Sequence, residues 1–147
     1  MLKRILVILL ALLFATPAFA GSERSIEVWK SATCKCCVNW VKHLEANGFD
    51  VKVNAADSSL LDRIKRQAGI GEKLASCHTA KIDGYVVEGH VPAADIKRLI
   101  AEKPDALGLT VPGMPVGSPG MEQGDETEPY DTLLIKQDGT AEIFARH

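Results

Sequence analysis

Apolar and polar positions mark out a regular series of elements along this chain. In "SIEVWK", Ile26, Val28 and Lys30 alternate with Glu27 and Trp29, which predicts a strand over Ser25 to Lys30. "CVNWVKHLEANGF" changes the period: Val38, Val41 and Leu44 recur at helical spacing, and Asn47-Gly48 closes the helix. "FDVKVN" predicts a second strand. "SSLLDRIKRQAG" then puts Leu60, Leu61, Ile64 and Ala68 on one helical face, with Ser58 or Ser59 to cap its start and Gly69 its end. Two β-rich runs in "HTAKIDGYVVEGHV" flank Asp83-Gly84, a pair that predicts a two-residue hairpin turn. "PAADIKRLIAEKP" opens on Pro92, tolerated in a first helical turn, and stops before Pro104. Residues 105–129 show neither period and are rich in Gly and Pro, which predicts a long functional or disordered loop. "YDTLLIK" and "TAEIFA", on either side of Asp138-Gly139, predict a closing hairpin.

The order β-α-β-α-β-β-α is that of the thioredoxin-like fold, an α/β architecture, here extended by the Gly/Pro-rich loop and the C-terminal hairpin. Chemistry in that fold sits where the first strand hands over to the first helix. "TCKCC", Thr33 to Cys37, occupies that junction.

The first twenty residues follow a different logic. Lys3 and Arg4 precede an apolar run from Ile5 to Phe14, and Ala18-Phe19-Ala20 forms a small-x-small step. The run is too short to span a bilayer comfortably, so 1–20 reads as a signal peptide cleaved near Ala20, with one domain over 21–147. Without the two basic leader residues, the 19 acidic side chains outnumber the remaining basic ones by 4. No basic block remains, so nothing in the charge argues for a nucleic-acid partner, and no second long apolar segment ties the cleaved chain to a membrane. Export predicts an oxidising compartment, where exposed thiols pair unless something else holds them.

That compartment sharpens the question of the four cysteines. Cys34 and Cys37 have C-x-x-C spacing, one helical turn apart, which suits a reversible disulfide or shared metal ligation. A helix N-terminus and the nearby Lys35 both favour thiolate there. Cys36 is a third thiol that a simple dithiol exchange does not need. Thioredoxin-like oxidoreductases also hold a cis-proline opposite the C-x-x-C, and this chain has no proline between Gly21 and Val91. At that fold position it carries Cys77-His78 instead, a soft ligand. A scaffold with two inert disulfides is the plain alternative, but adjacent Cys36 and Cys37 make an awkward staple and the domain is large enough to do without one.

Hairpin register adds a histidine. With Asp83-Gly84 as the turn, Ile82 faces Tyr85, Thr79 faces Glu88 and Cys77 faces His90, which brings His90 beside Cys77 as a candidate ligand. His78 should face the other way and bond to backbone, His43 should be solvent-exposed, and terminal His147 carries no signal. Met114 and Met121 stand in two Gly-Met steps of a loop with no apolar period, where a thioether can close over a soft ion. A single tetrahedral Zn²⁺ draws on separated cysteine pairs, whereas three cysteines in four residues are better placed to bridge several Cu(I) ions. An iron–sulfur cluster is the other thiolate-rich option, but export before folding makes its loading difficult.

"CKCC", "SCHTAKIDGYVVEGHVPAADIKRLI", "GLTVPGMPVGSPGME" and "YDTLLIKQDG" together resemble the CopG-type periplasmic copper-resistance proteins, long carried as a domain of unknown function. The resemblance runs from about Val28 to Phe144. It implies a thioredoxin-like fold, a periplasmic location in a Gram-negative bacterium, and copper held by Cys34, Cys36, Cys37 and Cys77. Lys35 departs from it, since the family commonly has glycine there, and a positive φ would strain a lysine. The resulting expectation is a periplasmic protein for copper tolerance. It would hold more than one Cu(I) on the four cysteines with His90, Met114 and Met121, cycle copper between Cu(I) and Cu(II), and work with other periplasmic copper-handling proteins. A thiol–disulfide oxidoreductase using Cys34 and Cys37 is the alternative.

Overall fold

β1 (Arg24–Lys30) forms where the alternation predicts a strand, and it buries Ile26, Val28 and also Lys30. The computed structural model describes residues 24–147, so the leader predicted over 1–20 lies outside the described residues. After β1 come α1 (Lys35–Ala46), β2 (Phe49–Ala55), α2 (Ser58–Gln67), a 3-10 turn at Glu72–Leu74, β3 (His78–Ile82) and β4 (Tyr85–Gly89). Then follow α3 (Ala93–Glu102), β5 (Gly108–Val111), β6 (Asp131–Ile135) and β7 (Ala141–Arg146). The predicted β-α-β-α-β-β-α order is present, and the α/β class holds.

All the strands join one sheet in the order β2-β1-β3-β4-β5-β6-β7. β1 runs parallel to β2 and antiparallel to β3, which sets the start of β3 beside the end of β1. α1 and α3 pack on one face, over a core of Ile26, Val28, Trp40, Leu44, Val87 and Leu109. α2 lies on the other face, near a smaller cluster of Ile70, Val86 and Ile135. Asp83 (φ 48°) and Gly84 (φ 85°) form the tight turn, and Ile82 pairs with Tyr85 and Thr79 with Glu88 in the predicted register.

Several local expectations change. The span 105–129 is not all loop, because β5 lies inside it, parallel to β4 and antiparallel to β6. All four β5 residues are buried, so the strand shows no alternation to read. Gly108 is required there: a Cβ would stand 1.8 Å from the Val86 carbonyl oxygen. In α1 the buried face is Cys37, Trp40, Val41 and Leu44, while Val38 is exposed. Asp57, not Ser58 or Ser59, caps α2, its Oδ1 accepting from the Leu60 amide at 2.8 Å. Lys35 begins α1 outside the left-handed region, so the strain that a positive φ would impose on lysine does not arise. His147 also has a role: its ring stacks on Tyr130 at 4.8 Å and its Nε2 reaches Asp95 Oδ2 at 2.9 Å, tying the chain end to α3.

Candidate metal centre

The N-terminus of α1 is built around sulfur. Cys34 is the N-cap, its Sγ accepting from the Cys37 amide at 3.3 Å where a serine or aspartate would ordinarily supply oxygen. No acidic side chain occupies the first turn, so the positive end of the helix faces the thiols without competition. Cys34 and Cys37 are joined as a disulfide, with Cα atoms 5.4 Å apart, and Cys36 and Cys77 are free. Cys36 Sγ lies 3.4 Å from Cys34 Sγ, and Cys77 Sγ lies 3.5 Å from Cys37 Sγ. All four sulfurs fall within 4.8 Å of one another. Cys77 is delivered from forty residues away because β3 runs back alongside β1.

A second donor group shares Cys77. His90 Nε2 stands 3.1 Å from Cys77 Sγ, as the hairpin register predicts. Its Nδ1 is 2.8 Å from the Pro119 carbonyl, which can only accept. The ring therefore carries its proton on Nδ1 and turns the Nε2 lone pair toward Cys77.

His78 departs from its expectation. It points into the α1 side of the sheet, 4.3 Å from the Trp40 ring, yet its Nδ1 lies 3.3 Å from Cys77 Sγ and its Nε2 is buried without a partner. Strict alternation fails here because Cys77 precedes the strand, whose first residue is His78. Cys77, His78 and His90 again lie within 4.8 Å of one another.

Burial sets the protonation of this cluster. It lowers the pKa of both His78 and His90, so both imidazoles are neutral, the form that binds metal. Cys77 is pushed up to about 12, by burial first and then by Cys36. It stays a thiol until a metal displaces its proton.

Both Gly-Met steps dock beside this cluster. The Gly113 amide donates to the Ala75 carbonyl at 3.2 Å, and Ser76 Oγ donates to the Gly113 carbonyl. At the other end, Gly120 (φ +88°) lies so close to α1 that a Cβ would come 2.7 Å from Cys36 O and Trp40 N. Met114 is exposed and Met121 half-buried, each one residue beyond its anchoring glycine. Ligation by either thioether rests on that placement. The acidic run at 124–128 is exposed, as a solvated loop should be.

Beneath Cys77 lies a polar network that the sequence did not announce. Glu88 is fully buried, and Lys65 of α2 pairs with its Oε1. That oxygen also accepts from the Ser76 amide at 2.6 Å, and Oε2 accepts from Thr79 Oγ1 at 2.6 Å. The residue before Cys77 is thereby fixed to the sheet.

His43 was expected in solvent. It is half-buried instead, and its Nε2 accepts from the Ala93 amide at 3.0 Å, capping α3, whose own N-cap Pro92 offers no side-chain bond. Burial lowers its pKa. Its contribution is therefore present above the unfolded value, near 6.5, and is lost as pH falls through the folded value. His43→Phe should cost about 1 kcal/mol at pH 8, the usual worth of one hydrogen bond. Urea unfolding at pH 8 and at pH 5 should show the gap between wild type and variant narrowing in acid; an equal gap at both would remove His43 as a cap.

With this geometry in place, comparison with known proteins is informative. Residues 74–121 match a family described as "Protein of unknown function, DUF411". No curated protein matches the chain. Two solved structures do. "Copper resistance protein copG- Form 2" is 46% identical, with TM-score 0.78, covering 84% of this chain and 98% of its own. "Copper resistance protein copG- Form 1" is 46% identical, with TM-score 0.79, covering 85% and 98%. Identity at that level, over more than four-fifths of this chain and nearly the whole of those chains, is enough to show the family. The chain therefore belongs to the CopG-type copper-resistance family.

Proposed function

We propose that this protein is a periplasmic copper-binding protein for copper tolerance, which holds several Cu(I) ions and cycles copper between Cu(I) and Cu(II) by exchanging one electron per ion with an external redox partner. Copper is its cargo, exchanged with other periplasmic copper-handling proteins, and the leader-like sequence over 1–20 supports the location. One observation carries the reading: four sulfurs converge at a helix N-terminus beside a neutral His90, in a chain of this family. Thiolate and imidazole donors suit Cu(I), and harder cations such as Mg²⁺ find no oxygen ligand set among these groups. Cys77 belongs to both donor groups, so its one sulfur is within reach of two ion positions. That favours bridged Cu(I) over a single tetrahedral Zn²⁺. Cys34, Cys36, Cys37, Cys77 and His90 are the proposed ligands, and His78 joins them as a further donor on the strength of its place beside Cys77.

Met114 and Met121 tune the site in this reading and do not create it. Replacing both by Leu keeps bulk and removes the soft sulfur. Copper(I) retention against a competing chelator should fall about tenfold, the low end of what supporting groups at metal sites contribute. Unchanged retention would return both residues to packing.

A second reading has an observation of its own, the Cys34–Cys37 disulfide. A thiol–disulfide oxidoreductase would use Cys34 to attack and Cys37 to resolve, at the helix end that favours thiolate. Reductase turnover that survives Cys36→Ser, in a protein that takes up no copper, would favour this reading over the first.

A further inference from the structure

Lys30 ends β1 with its side chain turned into the protein, on the face that Ile26 and Val28 supply to the core. It is only 5% exposed. Lysine is almost never this buried unless it is paired. The half-buried lysine near the site, Lys65, has Glu88 as its counter-ion. Among the described residues Lys30 forms no ion pair with any carboxylate.

Its surroundings point to the anion it serves. Lys30 Nζ donates to the Ser31 carbonyl at 2.8 Å, and the same oxygen accepts from the Cys34 amide at 3.2 Å. The ammonium is thus one shared carbonyl away from the residue that opens the cysteine turn. On the neighbouring strand Lys30 pairs in register with His78, whose Nδ1 touches Cys77 Sγ. Lys30 is thus joined to the cysteine turn through the Ser31 carbonyl and stands in register with the strand residue that touches Cys77.

We propose that Lys30 is the fixed counter-charge of the cysteine site, favouring thiolate sulfur over the Cys34–Cys37 disulfide. A positive charge held in a low-dielectric interior acts on a nearby anion far more strongly than one in water. Reduction of the disulfide by two molecules of glutathione breaks the Cys34–Cys37 bond and forms one glutathione disulfide. Two electrons pass to the protein sulfurs, and a proton not retained on sulfur goes to solvent. Lys30 stabilises the product side of that exchange. Lys30 is accordingly a tuning residue that acts through charge, without touching the metal.

The inference builds on the thiolate chemistry of the proposed site but needs no copper, so it is tested on metal-free protein. Wild type, Lys30→Gln and Lys30→Arg are equilibrated in graded glutathione redox buffers, and free thiols are counted by alkylation and mass spectrometry. Gln can still donate to the Ser31 carbonyl but carries no charge; Arg keeps the charge. In Lys30→Gln the equilibrium should move about tenfold toward the disulfide, a potential lower by roughly 30 mV for this two-electron couple. Lys30→Arg should stay near wild type. Circular dichroism checks folding, and Lys30→Met gives the same readout if the amide variant does not fold. An unchanged equilibrium in the folded neutral variant overturns the proposal, as does an equal shift in Lys30→Arg. A shift in a protein that binds no copper would keep this inference and sink the copper reading, whereas copper loading without a shift would do the reverse.

Discussion

Cys36→Ser is expected to abolish multi-copper loading while leaving the fold intact. Cys36 lies in the first turn of α1, half-buried, and its sulfur contacts Cys34 Sγ at 3.4 Å. It takes no part in the Cys34–Cys37 disulfide, so a dithiol chemistry has no use for it. A bridged copper site does. Even groups that only support a metal ligand contribute 10- to 100-fold in affinity, so loss of a bridging thiolate should exceed roughly 100-fold. The serine hydroxyl fits the space, and the buried face of α1 is untouched. Copper content after Cu(I) loading and desalting, beside the far-UV spectrum, reads both halves of this expectation. Full copper retention in a folded Cys36→Ser protein would sink the bridged site.

The largest loss of stability is expected from Lys65→Met. Glu88 is completely buried, and among the described residues Lys65 is the only cation paired with it. Removing one partner of such a pair leaves an uncompensated charge in the interior, at a cost of about 3–5 kcal/mol. Burial already raises the Glu88 pKa in the presence of Lys65. A raised carboxyl pKa gives stability that is complete below the unfolded value and lost as pH rises through the folded value. Without the ammonium this effect grows, so the deficit should be larger at pH 8 than at pH 5. Urea midpoints at the two pH values measure it. Because Glu88 also holds the Ser76 amide, the variant should lose grip on Cys77 and bind copper more weakly even where it remains folded. A deficit under 1 kcal/mol at pH 8 would mean that water already reaches this carboxylate.

Much of the site was legible because its parts obey local rules. Asp83-Gly84 dictates a two-residue turn, the turn dictates register, and register places His90 beside Cys77. The clustering of Cys34, Cys36 and Cys37 needed only a helix start after the first strand. What escaped depends on contacts between distant segments. β5 is buried on both faces, so nothing in "GLTV" distinguishes it from a loop running to Pro112. His43 looked solvent-facing because its partner, the Ala93 amide, lies 50 residues away. His78 was assigned by alternation to the wrong environment, since Cys77 stands just outside the strand and its side chain is free to swing back. Glu88 and Lys65 read as ordinary charges. Only the α2 packing shows that each is the other's partner. A buried lysine at a core position of β1 was a signal that could have been used: Lys30 occupies the inward phase of the alternation, where an aliphatic side chain would be ordinary.

Native mass spectrometry of the purified, reduced protein after Cu(I) loading tests the central claim most directly. The expected spectrum shows more than one copper per chain, with thiol protons displaced as metal enters, and it collapses to the metal-free mass when Cys77→Ser removes the sulfur common to both donor groups. A protein that stays metal-free, or that holds a single ion equally well with and without Cys77, would contradict it.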